Sequence, residues 1–415
     1  MRRHGILATG VLAVTALAAT ACGSSGSSSP DSTAAGGRAL TVGVLNSDTG
    51  PYSAGYTGTH QGIDARLKSY AAGGGKCANV KIRTVAGDDQ SSPQGALQAA
   101  QKLVQQDKVF AILNVTPAFF GAAPYLTTIG KNTPVFGGGV DGAKQWTQSS
   151  VKNLFPAPAV TDYHNVFDTF GRYLKSVGAT KIAGLSNVSP SAQDSIAGLA
   201  IAVKSSGLTM AYTNVNLATG TTDVGAVVLA IKNSGADAVM MATIPTTAFA
   251  IQAGLKQAGV TLKSFISLTG YGADLLTSPA AVQAGQGMSF ATNYAPSELN
   301  SPATQAQSAA LKQYAGSTSG LPSFSQAYGW LAADLFLYAL ENAGCDASQA
   351  DILKFMSKSD QYDAGGLLPD KQNFPKPASG GKCYFVTTLK GNGFVLASTG
   401  KPVCGEPTGE NVAGH

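Results

Sequence analysis

Thr116-Pro117-Ala118-Phe119-Phe120 sets a hydroxyl beside two aromatic rings. That pairing suits a ligand with an apolar or aromatic body and one polar or anionic end, although the same two rings would also suit a core. Further on, Gly137-Gly138-Gly139 offers backbone amides with no side chains in the way, and Asp141 beside them is a carboxylate able to meet an ammonium. Tyr52 and Tyr56 bring phenols from the N-terminal side, while Ser189, Ser191, Thr246, Thr269 and Tyr271 bring hydroxyls from the later half. Such a set recognises and holds; it does not make or break bonds. A GxSxG elbow, a Walker loop, an HExxH helix and a local Cys/His signature are all missing from the sequence. No CxxC occurs, and His4, His60, His164 and His415 share no metal-ligand spacing. Gly137, Gly139 and Gly142 do fit GxGxxG, with Asp162 downstream. That fingerprint must follow a first strand and open a βαβ unit, whereas here it follows a fourth strand and Pro156 and Pro158 interrupt the chain. The sequence calls for no cofactor, no metal and no enzyme.

The elements that must position these residues begin at Leu40. LTVGVL is a short apolar run ended by the turn residues NSDTGP, and Ile63, Leu67, Tyr70 and Ala71 then recur at helical spacing up to Gly73-Gly74-Gly75. VKIRTVA reads as the second strand. Ser92 caps the next helix, with Pro93 at its first position and Ala96, Leu97, Ala100, Leu103 and Val104 on its inner face. VFAIL and TPVF follow as third and fourth strands, with a helix over GAAPYLTTIGKN between them. Strands alternating with amphipathic helices make right-handed βαβ units and a parallel sheet. A second series repeats this architecture without repeating its sequence. It has a helix face of Val166, Phe167, Phe170, Tyr173 and Leu174, then strands KIAGL, LTMAYTNV, ADAVMMA and SFISL with helices between. Two open α/β lobes bind ligands in the crevice at the carboxyl ends of their strands, which is where the candidate residues fall.

The combination GVLNSDTGP, AGGG and AGDDQSSPQGALQAAQKLVQQDKV resembles the opening of the extracytoplasmic solute-binding proteins of branched-chain amino-acid-type ABC importers, over roughly Leu40 to Leu396. The resemblance implies the type I periplasmic binding protein fold, two doubly wound lobes joined by three crossovers around a central cleft. NLFPAPAVTD and GMSFATNYAPS resemble the first two crossovers, with the third near Asp363 to Leu368. The implied division is residues 39–155 with 290–362 as lobe one, 156–289 with 363–405 as lobe two, and 406–415 as a tail. In that family, hydroxyls and amides after the third and fourth strands of lobe one hold a ligand carboxylate, and an acidic residue after a lobe-two strand holds the α-ammonium. Thr116 matches the first hydroxyl. Glycines 137–139 replace a Ser-Ala-Ala-Thr-like segment, and Thr269 stands where the acid is expected. An unpaired buried ammonium costs on the order of 3–5 kcal/mol. The expected ligand is therefore a small carboxylate, amide or aromatic compound rather than an ordinary branched-chain amino acid. The expected partners are ABC permease subunits with cytoplasmic ATPases, and the protein is expected to be a monomer. An amino-acid binder of the same class and a sensor uncoupled from transport are the other readings.

Residues 1–21 carry Arg2 and Arg3 before the apolar stretch GILATGVLAVTALAATA, a secretory leader too short for a membrane span. Ala19-Thr20-Ala21-Cys22 resembles a bacterial lipobox, with Ala19 where Leu or Val is usual. Cys22 is therefore expected to carry lipid at the outer face of the cell membrane. Residues 22–38 form a Ser/Gly tether. The other four cysteines suggest disulfides in an exported protein, with three possible connectivities. Cys383 and Cys404 flank a hairpin tipped by Gly391-Asn392-Gly393 and are placed to pair across it, leaving Cys77 with Cys345. Net charge is +5 with the lysines scattered, so the chain carries no nucleic-acid footprint. Charged residues make up 12% and hydrophobic ones 44%, a globular balance.

Overall fold

A computed structural model describes residues 37–375, 380–397 and 400–414. The leader, Cys22 and nearly all of the tether lie outside the described residues. In the first lobe, strands β1 Ala39–Asn46, β2 Lys81–Asp88, β3 Ala111–Asn114, β4 Val135–Gly137 and β5 Leu154–Pro156 are all parallel, in the spatial order β2-β1-β3-β4-β5. Val44, at the centre, lies opposite Ala86 on one side and Leu113 on the other. Helices α1 Ser53–Tyr56, α2 Thr59–Ala72, α3 Pro93–Gln101 and α4 Ala123–Thr128 make the connections. Ser92 caps α3 as expected, accepting from the Gly95 amide, with Pro93 in the first turn.

The second lobe is built on β6 Lys181–Asn187, β7 Thr209–Leu217, β8 Ala238–Ala242, β9 Ser264–Ser267 and β10 Ser289–Thr292, again parallel. Antiparallel strands β11 Cys383–Lys390, β12 Gly393–Leu396 and β13 Val403–Cys404 complete it. Its helices are α5 Thr169–Ser176, α6 Pro190–Ser205, α7 Gly225–Ser234, α8 Pro245–Gln257, α9 Ala273–Leu276 and α10 Pro279–Gly285. After β10 the chain returns to the first lobe as α11 Pro302–Tyr314, α12 Phe324–Ala343 and α13 Gln349–Met356. Helix α12 is buried on almost every side and starts with a reciprocal Ser323/Gln326 capping box. It crosses α2 at backbone contact, because Gly62 has no side chain there: a Cβ would stand 2.1 Å from the Gln326 carbonyl oxygen. Two doubly wound α/β lobes joined by three connections are thus present, as the sequence implies.

Three local differences have physical causes. Ser289 to Thr292, assigned to a crossover, pair with β9 and β11 and so belong to the second sheet; the crossover starts at Asn293. Val166 and Phe167, assigned to a helix face, precede α5 and pair instead with the C-terminal segment. That segment, set apart as a tail, is docked along the second lobe: Thr408 donates to the Val166 carbonyl at 2.8 Å, Val412 to that of Tyr163 at 2.9 Å, and Val412 is buried. Both expected disulfides are present, Cys77–Cys345 and Cys383–Cys404.

Candidate ligand-binding cleft

Strand carboxyl ends from both lobes open onto one cavity of about 330 Å³. Lobe one contributes Tyr52, Tyr56, Pro117, Phe120, Gly139, Val140 and Gly142, and α12 adds Phe324 and Tyr328. Lobe two contributes the Asn187–Ala192 entry to α6, Thr243, Ile244, Thr269 and Tyr271, while Thr161, Asn293 and Tyr294 come from the crossovers. Among the described residues lining it, none is charged. The lobes touch on both flanks of the cavity: Ser191 Oγ donates to the Val140 carbonyl at 3.3 Å, and the Ala273 amide to that of Pro322 at 3.2 Å. This is a closed arrangement. A hollow of about 670 Å³ beside Lys152, Gln372 and Lys382 is larger, but it is lined by the β5 flank and the Leu368–Pro375 stretch and by none of the loops that follow β1, β3, β6, β8 and β9.

Aromatic rings form a continuous ladder along the cleft. Tyr56 meets Phe324 edge-on at 6.0 Å between centroids, Phe324 lies 4.6 Å from Tyr328, and Tyr328 meets Tyr294 edge-on at 5.9 Å. Such pairs contribute about 0.5–1.5 kcal/mol each beyond their buried area, so the wall is rigid before any ligand arrives. The Tyr328 hydroxyl donates to Asn293 Oδ1 at 3.1 Å. Burial pushes the phenols of Tyr56, Tyr294 and Tyr328 above their ordinary range, so all three remain neutral donors at physiological pH.

Of the residues singled out from sequence, Tyr52, Tyr56, Pro117, Phe120, Gly139, Ser189, Ser191, Thr269 and Tyr271 line the cavity. Six do not, and in most cases an internal partner accounts for it. Thr116 is fully buried, its hydroxyl bonded to the Asp89 carboxylate and accepting from the Ala118 amide at 2.8 Å. Asp89 also takes Ser47 Oγ at 3.1 Å and the Ser91 amide at 2.7 Å. A buried carboxylate must collect donors, and this one draws in the hydroxyl expected to face the ligand. Asp141 is likewise turned inward, accepting from the Ala143 amide at 2.8 Å and Trp146 Nε1 at 2.9 Å. Burial pushes its carboxyl up to about 7, against those hydrogen bonds. Phe119 packs on Trp146 at 4.8 Å in the lobe-one core. Gly137 lies in β4, and the Gly138 amide donates to the Asn114 carbonyl at 3.0 Å. Gly138 instead makes room for an aromatic wall, since a Cβ there would stand 2.7 Å from Tyr328 Cδ1. Thr246 is exposed on the first turn of α8.

Thr269 reaches the cavity, but its hydroxyl donates to the Thr243 carbonyl at 2.5 Å and offers no free proton. Asn293, Tyr294, Phe324, Tyr328 and Tyr384 line the cleft without having been singled out. They sit on a crossover, a returning helix and an antiparallel strand, so the strand-end rule does not reach them. The one signal available was the aromatic in NYAPS, at the second crossover.

The sequence model of the periplasmic binding protein family matches residues 39–393, most of the chain, and the protein belongs to that family. No curated protein matches the sequence. Solved structures share the fold at low identity. A solute-binding protein of an ABC transporter from R. palustris, in complex with benzoate, has a TM-score of 0.69 at 18% identity, covering 89% of this chain and 98% of its own. A branched-chain amino-acid ABC transporter structure from Thermus thermophilus with bound valine gives 0.73 at 16%, covering 88% and 97%. A fatty acid ABC transporter substrate-binding protein from Thermomonospora curvata gives 0.71 at 20%, covering 90% and 95%.

Proposed function

We propose that this protein captures a small solute between its lobes and delivers it to the permease of an ABC importer, from the outer face of the membrane and as a monomer. The expected lipid anchor is Cys22, on the strength of its lipobox-like context and the Ser/Gly tether that follows. No helix among the described residues is long and apolar enough to cross a membrane. A ligand that touches both lobes stabilises the closed arrangement by its differential affinity for it, and the closed form is what a permease reads.

The ligand is a carboxylate or amide with an apolar or aromatic body, not a branched-chain amino acid. The observation that carries this is the absence of any charged side chain among the described lining residues, together with the aromatic ladder. An α-ammonium would have no carboxylate there, since Asp141 is spent on Trp146 and Ala143. Neutral donors suffice for an acid or amide, and Tyr56, Ser189, Asn293 and Tyr294 all line the cavity. Relatives of the same fold were solved with benzoate in one case and valine in another, and a third is titled for fatty acids, so the fold leaves the choice to the lining. Native mass spectrometry of the gently purified protein, with identification of the released molecule, tests this. An acid or amide lacking an α-ammonium is expected; a retained leucine, isoleucine or valine would contradict it.

A further inference from the structure

The cleft is not uniform along its length. Its inner part holds polar groups that nothing among the described residues satisfies. Tyr294 is only 3% exposed, and neither its hydroxyl nor that of Tyr56 has a hydrogen-bond partner among the described residues. Tyr328, which lies between them in the ring ladder, has already given its proton to Asn293 Oδ1. The Asn293 amide N–H groups are then the part of that side chain left over, and they can only donate. All three residues line the cavity, so donors that the described residues leave unpartnered are open to a ligand there, and this end of the cleft suits an oxygen acceptor.

The outer part has the opposite character. Five large hydrophobic side chains are exposed among the described residues, and two of them, Phe120 at 37% and Val188 at 59%, line this cavity. They stand on opposite lobes, at the strand ends of β3 and β6. Ile129, Leu229 and Val395, the other three, lie away from it. A cavity of about 330 Å³ lies at the small end of the range of small-molecule clefts.

We infer that the ligand is an elongated apolar molecule whose oxygen-bearing end rests on the Tyr56 and Tyr294 phenols and the Asn293 amide, and whose far end leaves between Phe120 and Val188. This rests on the solute-binding reading above and specifies its substrate class: a chain-like or para-extended acid or amide. Tyr56 belongs to lobe one and Tyr294 to the second crossover, so the head group ties a lobe to the hinge. The tail covers the two exposed lips, one from each lobe. Both ends therefore favour closure.

Straight-chain carboxylates from butanoate to decanoate, titrated calorimetrically into the full mature chain, test it. Affinity should rise about three- to fourfold for each added methylene until the chain clears the lips. Tyr294→Phe should weaken every acid about tenfold whatever its length, with an unchanged melting temperature. A Phe120→Ser/Val188→Ser variant should weaken octanoate and leave butanoate unaltered. Should Tyr294→Phe melt early, Tyr56→Phe reads the same end. Acids that bind without regard to length, or that ignore both phenol variants, overturn this inference and leave the solute-binding reading standing. Leucine binding at micromolar concentration while every acid fails would overturn the acid-or-amide ligand class, and this inference with it.

Discussion

The two lobes meet the same cleft with loops of the same topological kind and use them in different ways. In lobe one, the polar residues at the strand ends point into their own scaffold: Ser47 and Thr116 close on Asp89, and Asp141 on Trp146. What lobe one shows the cleft is rings, those of Tyr56, Phe120, Phe324 and Tyr328. In lobe two, the entry to α6 keeps Asn187, Ser189 and Ser191 at the cavity, and the chain between the sheets adds Asn293 and Tyr294. The difference follows from buried carboxylates. Where an acid sits beneath a loop, it claims the nearby hydroxyls and amides, because a desolvated charge gains more from them than a ligand would. In lobe two an acid reaches the segment after β9, where Glu298 takes the Tyr271 hydroxyl at 2.7 Å, but not the entry to α6, where the Ser189 hydroxyl meets the Asn187 amide at 3.3 Å and no carboxylate.

Breaking that contrast should cost lobe one stability and leave recognition nearly intact. Asp89→Ala removes the acceptor of Ser47, Thr116 and the Ser91 amide together, and is expected to destabilise by about 3 kcal/mol in urea unfolding. Asp141 comes next. Its carboxyl is held up to about 7 in the folded protein by burial, well above its unfolded value, so folding takes up a proton between those limits. Stability from this group is therefore fully present below about pH 4 and is lost as pH rises toward and through about 7. Unfolding free energies at pH 5 and pH 8 should differ in that direction, and Asp141→Ala should flatten the difference. Thr116→Ala is the smallest of the three, about 1 kcal/mol of stability, with ligand affinity changed less than twofold in calorimetry. A large loss of affinity with unchanged stability would restore Thr116 to the ligand.

Much of this arrangement can be read from the chain. The βαβ series, the Ser92-Pro93 helix start and both disulfides follow from local pattern and parity, because each depends on residues close in sequence or few in number. The strand-end rule also finds Tyr56, Phe120, Ser189 and Thr269. It cannot tell an outward hydroxyl from an inward one. Whether Thr116 faces solvent depends on Asp89, a residue on a different strand connection, and nothing in TPAFF records that. Tyr294, Phe324 and Tyr328 escape for a different reason. Their positions are set by the return of the chain over the first sheet, a long-range event that a residue-by-residue reading does not locate. Gly137-Gly138-Gly139 shows the limit most plainly: the run suggests amides for an anion, whereas Gly138 exists to let the Tyr328 ring approach.

The central claim is that this cleft recognises its ligand without a charge of its own. The most direct measurement titrates leucine and octanoate into the wild-type protein and into Thr269→Glu, which puts a carboxylate on the cavity wall. Octanoate should bind the wild type at least tenfold more tightly than leucine does, and Thr269→Glu should reverse that order through repulsion of the acid and pairing of the ammonium. Micromolar leucine binding by the wild type, unaltered by Thr269→Glu, would contradict the account.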